Sequence, residues 1–154
     1  MNNSPEQMIN GIENAAKRGA KYNIEFLNEE LLPTVLVITE DDDVEVASIS
    51  LEKEKIPAML KQYLIDTQAK AYALVLEAWS TTFVESAKAY DYKIRDMPLD
   101  DRFEVANVIV VKRNEGIHKY LTSKIKTSPL DGKRQLQKWT DGSIKETRIC
   151  VTEW

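Results

Sequence analysis

Glu77, Trp79, Arg102 and Glu104 are the residues whose types and spacing could do chemistry together. Glu77 and Trp79 end the apolar run 71–79, while Arg102 and Glu104 open the run 103–111. Residues two apart on a β-strand share a face. If the two runs pair antiparallel, the end of the first meets the start of the second, and two carboxylates come to stand beside a guanidinium and an indole. Such a set suits general acid–base catalysis, where the surroundings split the pKa values of paired carboxylates, or a clamp on a charged substrate. It also suits a structural ion-pair network, because charges that end a buried strand need partners wherever they sit. The structural network is the favoured reading.

The elements that must position these residues follow from periodicity. Ala71 to Leu76 and Val105 to Val111 are apolar on both alternating faces, as interior strands are. Between them, residues 80–101 form a loop or lid, with two helical turns expected over Phe83 to Tyr90. Tyr90, Tyr92 and Met97 would fold over the strand ends, which makes the two tyrosines binding candidates beside Trp79. Upstream, Ser4-Pro5-Glu6-Gln7 is a capping-box start for a helix over about 5–18, with Glu13 and Lys17 paired on its outer side and Gly19 as its stop. Residues 20–32 read as a second short helix. A hairpin over 34–51 turns at Glu40 to Asp43, which is a solvated acidic turn rather than a calcium loop, since no Gly bends it. A helix over 56–69 carries the stripe Ile56, Met59, Leu60, Tyr63 and Leu64. Beyond Val111, Asn114-Glu115-Gly116, Asp131-Gly132 and Asp141-Gly142 mark the turns of a β-meander over about 103–152. In it, Ile117, Lys119, Leu121, Ser123 and Ile125 share one side, and a last strand covers 144–151.

Composition narrows the function classes. A chain of 154 residues is the length of one domain, and folding at that size removes roughly 70% of the unfolded surface from water. Cys150 is the only cysteine, so no internal disulfide forms and a reducing cytosol is the expected compartment. No apolar run is long enough to cross a membrane, and the N-terminus is not a signal peptide. Residues 1–111 hold 11 Lys+Arg against 20 Asp+Glu, a balance of −9, while 112–154 hold 10 against 5, a balance of +5. Lysines guarding strand edges explain that asymmetry most simply; association between unlike patches and nucleic-acid binding are the functional explanations. Five glycines leave no phosphate loop, His118 is alone, and neither Ser50-Leu51-Glu52-Lys53 nor Tyr120 to Lys124 has the companions its catalytic motif needs. No metal site or cofactor is expected.

Glu77-Ala78-Trp79, followed by Arg102-x-Glu104-Val105, resembles the strand-end signature of a family of small α+β proteins of bacteria, archaea and phages that has no established activity. The resemblance covers the middle of the chain and implies that the 80–101 loop and its two anchors belong together. The expectation is an α+β fold: a mostly antiparallel sheet of five to seven strands with one or two helices packed on one face. The leading functional reading is a cytosolic, non-catalytic, self-associating interaction protein of the kind a mobile element encodes. The last meander, with Trp139 and Trp154, would be its contact surface. One alternative is a small hydrolase-like enzyme using Glu77 and Glu104 under the 80–101 loop; another is nucleic-acid binding through the basic C-terminal third. No small-molecule ligand follows from the residues.

Overall fold

The computed structural model describes residues 4–142 and 150–154. Seven strands form an antiparallel sheet in an α+β fold. These are β1 Thr34–Thr39, β2 Val44–Ser48, β3 Ala69–Ser80, β4 Phe103–Lys112, β5 Gly116–Thr127, β6 Arg134–Leu136 and β7 Thr140–Asp141. The order is β2-β1-β3-β4-β5-β6, with β7 also on β5. The two apolar runs lie side by side at the centre, in a register that sets Trp79 opposite Glu104 and Glu77 opposite Ala106.

Helix α1, Pro5–Lys21, starts on the expected capping box: the Ser4 hydroxyl accepts from the Gln7 N–H at 3.2 Å, and the Gln7 side chain accepts from the Ser4 N–H at 3.0 Å. It packs Ile9, Ile12, Ala16 and Ala20 against Ala73, Val75, Ala106 and Val108. Helix α2, Ile56–Asp66, packs Ile56, Leu60 and Leu64 against Val37, Tyr72, Leu74 and Ile109. The helices therefore take opposite faces of the sheet, where their stripes alone suggest one shared face. The reason is the two-sided apolar character of β3 and β4, which leaves neither face fit for water.

The local structure departs from expectation at five points. Gly19 does not stop the first helix, which runs on to Lys21 and into a π-helical turn over Tyr22–Phe26 in place of a separate helix in 20–32. Nothing crowds Gly19, and the Asn23 side chain donates to its carbonyl at 2.9 Å, holding the turn together. The second helix ends at Asp66 rather than 69, because Gln68 takes a left-handed φ of 53° before β3 begins. Ile117 does not share a face with Leu121 and Ile125: a register shift of β5 against Val110 and Val111 moves it to the α2 side with Tyr120 and leaves His118 exposed. Glu13 is not on the outside; it is 6% exposed, with Lys17 Nζ at 3.0 Å and Lys119 Nζ at 2.8 Å from its two carboxylate oxygens.

The 80–101 segment contains α3, Val84–Ala89, and two short 3-10 turns, with Met97 buried beneath it. The strand expected over 144–151 falls mostly outside the described residues, and Cys150 to Trp154 carry no strand. This tail closes the α2 face instead. The buried Tyr72 hydroxyl donates to the Val151 carbonyl at 2.6 Å and accepts from its N–H at 2.9 Å. At Gly142 a Cβ would overlap the Tyr120 ring, so only glycine lets the β7 end lie against β5.

Replacing Tyr72→Phe leaves a buried N–H and carbonyl without their partner and is expected to cost about 1–3 kcal/mol in urea unfolding, with faster amide exchange at Val151. A second expectation concerns acid. Burial alone would raise the Glu13 carboxyl, but its contacts with Lys119 and Lys17 outweigh that and hold it below the usual carboxylate range. The stability it contributes is therefore complete above the unfolded carboxylate pKa and is lost as pH falls through the lower folded value. Glu13→Gln should cost about 1–2 kcal/mol at neutral pH, since both lysines remain near water. The gap from wild type should close in acid unfolding titrations.

Candidate functional site

Antiparallel pairing of β3 with β4 brings Glu77 and Glu104 to one place on the α1 face, as their spacing implies. The cation between them is Arg134, at the start of β6, and not Arg102. Arg134 meets Glu77 two-fold, Nη1 to Oε2 and Nη2 to Oε1 both at 3.0 Å, and reaches Glu104 Oε2 from Nη1 at 3.4 Å. Its Nη2 also donates to the Glu29 carbonyl at 2.5 Å. The Arg134 and Glu77 side chains are each 14% exposed and Glu104 36%. Hydrogen bonds to Glu77 raise the pKa of Arg134 despite the opposing cost of burial, and the charges of Glu77 and Glu104 add to the rise.

The segment joining the π-helical turn to β1 is tied into the same cluster. Asn28, at a left-handed φ of 52°, accepts from the Arg134 N–H at 3.2 Å, and the Leu31 N–H donates to Glu77 Oε1 at 2.8 Å. Glu25 Oε2 accepts from the Leu136 N–H at 3.1 Å. Glu77 thus receives three donors, two on Oε1 and one on Oε2, which fill most of its lone-pair sites and leave it poorly placed to act as a general base. The geometry is that of a clamp fastening β6 and residues 28–31 onto the end of the central strands.

Arg102 is otherwise engaged. Its guanidinium lies 4.0 Å from the centre of the Trp79 ring and donates to the Arg95 carbonyl at 2.5 Å, while its Nε is buried with no hydrogen-bond partner among the described residues. With the Thr81 hydroxyl donating to the Asp101 carbonyl at 2.5 Å, this stack holds the two ends of the 80–101 segment together. Tyr90 and Tyr92 are on that segment, 40% and 48% exposed. Trp139 packs against the α1 core with Lys17 Nζ 5.9 Å above its ring. Trp154 turns inward, its Nε1 donating to the Ala69 carbonyl at 2.8 Å and its ring set edgewise on Tyr72. The tryptophans expected to form a contact surface are thus partly buried, each engaged by contacts within the chain.

In the acidic turn, Asp42 pairs with Lys70 and Glu40 lies 3.4 Å from Arg113. Among the described residues, no group of three or more His, Cys, Asp or Glu is placed to hold a metal. Burial pushes the Cys150 thiol up to about 11, the behaviour of a packed thiol rather than a nucleophile. Two surface concavities, one at Lys61, Gly116 and Trp154 and one at Arg18, Lys21, Tyr22 and Phe26, include neither Glu77 nor Glu104. Sequence reasoning missed Arg134. It stands 57 and 30 positions from its two carboxylates, next to Lys133 and in a strand of three residues, so no local pattern marks it. No helix among the described residues is long and apolar enough to cross a membrane. No protein-family model matches the chain, and no curated protein or solved structure is significantly similar to it.

The clamp can be graded by mutation. Arg134→Met leaves Glu77 buried without its cation and should cost about 3–5 kcal/mol, whereas Glu104→Gln, at the exposed arm, should cost less than about 1 kcal/mol. Urea midpoints with unchanged slopes would measure both.

Proposed function

We propose that this protein works in the cytosol by association, with further copies of itself, and not by catalysis. The observation that carries this reading is the occupancy of Glu77, the more buried of the paired carboxylates. Glu77 is filled by Arg134 and the Leu31 N–H, and the same guanidinium anchors two chain segments to the sheet. A hydrolase built on Glu77 and Glu104 would have to break this clamp to free its base.

Part of the charge asymmetry is used internally: three of the ten cations of the basic third, Arg113, Lys119 and Arg134, pair with Glu40, Glu13, Glu77 and Glu104 of the acidic body. These three are not available to meet phosphates. The two tyrosines of the 80–101 segment and the stacked, exposed Tyr22 and Phe26 leave aromatic surface available for contacts.

Light scattering over a wide protein concentration range is the test. The expected result is a concentration-dependent dimer or larger species that persists from low to moderate salt, with Glu104→Gln associating as wild type does. A monomer at every concentration would refute self-association. An assembly that dissolves steeply with salt would instead return the unlike charged patches to the centre of the argument.

A further inference from the structure

β2 ends the sheet on one side, and its open edge is suited to a second copy of itself. The orientation of its backbone follows from two hydrogen bonds. Thr39 N–H donates to the Asp43 carbonyl at 2.9 Å, and Ile49 N–H donates to the Pro33 carbonyl at 2.7 Å. Bonded and non-bonded pairs alternate along an antiparallel ladder, so Val37 with Glu45 and Val35 with Ala47 are the bonded pairs between these two. The N–H and C=O groups of Val44, Val46 and Ser48 therefore point away from β1. Nothing among the described residues donates to them or accepts from them.

Their side chains add to the case. Val44 and Val46 sit opposite Ile38 and Leu36, on the face that α1 covers farther in, but they lie beyond its cover at 52% and 62% exposed. Natural sheets blunt such an edge with short strands, charged side chains, Pro, a bulge or a covering segment; β2 has five residues, and its one charge, Glu45, lies on the face opposite Val44 and Val46. The far edge is divided between β6 and β7 and held by the Arg134 clamp. Val-Glu-Val-Ala-Ser has neither lysine nor proline.

We propose that two copies join through β2, antiparallel about a two-fold axis at Val46, into one continuous sheet. The proposal rests on the association reading and names its surface. Only outward-facing residues can bond across the seam, which restricts the register. Centring on Val46 pairs Val44 with the partner's Ser48, sets Glu45 against the partner's Ala47, and uses every outward group of the strand. Shifting the axis to Glu45 would set two carboxylates directly opposite, which is unfavourable. Centring on Ala47 leaves Val44 without a strand partner. In the chosen register the acidic turns Glu40 to Asp43 lie at opposite ends of the seam, so the strongest negative clusters do not face each other. A seam one short strand wide is at the small end of specific interfaces, below about 1,200 Å², so the dimer is expected to be weak and in rapid exchange.

Sedimentation velocity from micromolar to millimolar protein tests this with four variants in a Cys150→Ser background. Val46→Pro removes only an outward N–H and leaves the ladder to β1 intact, while Val46→Lys adds a charge on the axis. Both should lower the dimer fraction at least ten-fold at a concentration where the parent is half dimeric, with circular dichroism and melting unchanged. Val46→Cys should form a disulfide between copies under mild oxidation, as an axial bonded pair has its Cα atoms within bridging range, whereas Glu45→Cys should not. If the parent dimerises, but Val46→Lys still dimerises and Val46→Cys does not cross-link, the β2 seam is overturned while self-association stands. If the parent is monomeric throughout, both fall.

Discussion

Ala71 to Leu76 and Val105 to Val111 are apolar on both sides of the pleat, and the sheet can keep them at its centre only if something covers each face. The rest of the chain answers that demand. α1 lies across β1, β3 and β4 on one side; α2 and the tail at Val151 and Trp154 close the other. Burying these side chains contributes on the order of 1.5–3 kcal/mol each before ordering entropy is subtracted, so the two-layer cover dominates the favourable side of folding. The tail has to bond Tyr72 because that hydroxyl would otherwise lie unsatisfied inside an apolar layer.

Where the central strands reach their polar ends, the problem changes from apolar cover to charge. Glu77 still lies on the α1 face but in the last stretch of β3, half under residues 28–31, where an unpaired carboxylate would be costly. Arg134 resolves this with a planar two-point contact that a lysine could not reproduce. Glu13 poses the same problem at the other end of the α1 layer, and Lys17 and Lys119 meet it there. In both places an acid from the first part of the chain meets a cation from the last. Opposite charges of the two parts thus help to close the fold at these points, with the C-terminal strands held by ion pairs as well as by the ladder.

The two edges of the sheet are finished differently. On the β6 side, short strands, a clamp and internal ion pairs leave few free groups. On the β2 side the ladder simply stops, with apolar side chains and outward backbone groups. The proposed pairing between copies draws on this difference, since an open strand edge is the feature that strand addition uses.

Much of this architecture is legible in the residues. The capping box at Ser4, the β1–β2 hairpin, the α2 stripe apart from the exposed Met59 and the pairing of the two apolar runs all follow from periods of 3.6 and 2 and from turn chemistry, which are local properties. The meeting of Glu77 with Glu104 follows as well, because antiparallel register converts their positions into a neighbourhood. The identity of their cation does not: Arg102, near in sequence, is captured by Trp79, and Arg134 arrives from a distant turn by tertiary packing. The faces of α1 and α2, the burial of Glu13, the shift that turns Ile117 over and the inward turn of Trp154 were decided in the same way. Period and propensity say which side of an element is apolar. Only the packed fold determines what that side meets, because the choice depends on contacts between residues far apart in the chain.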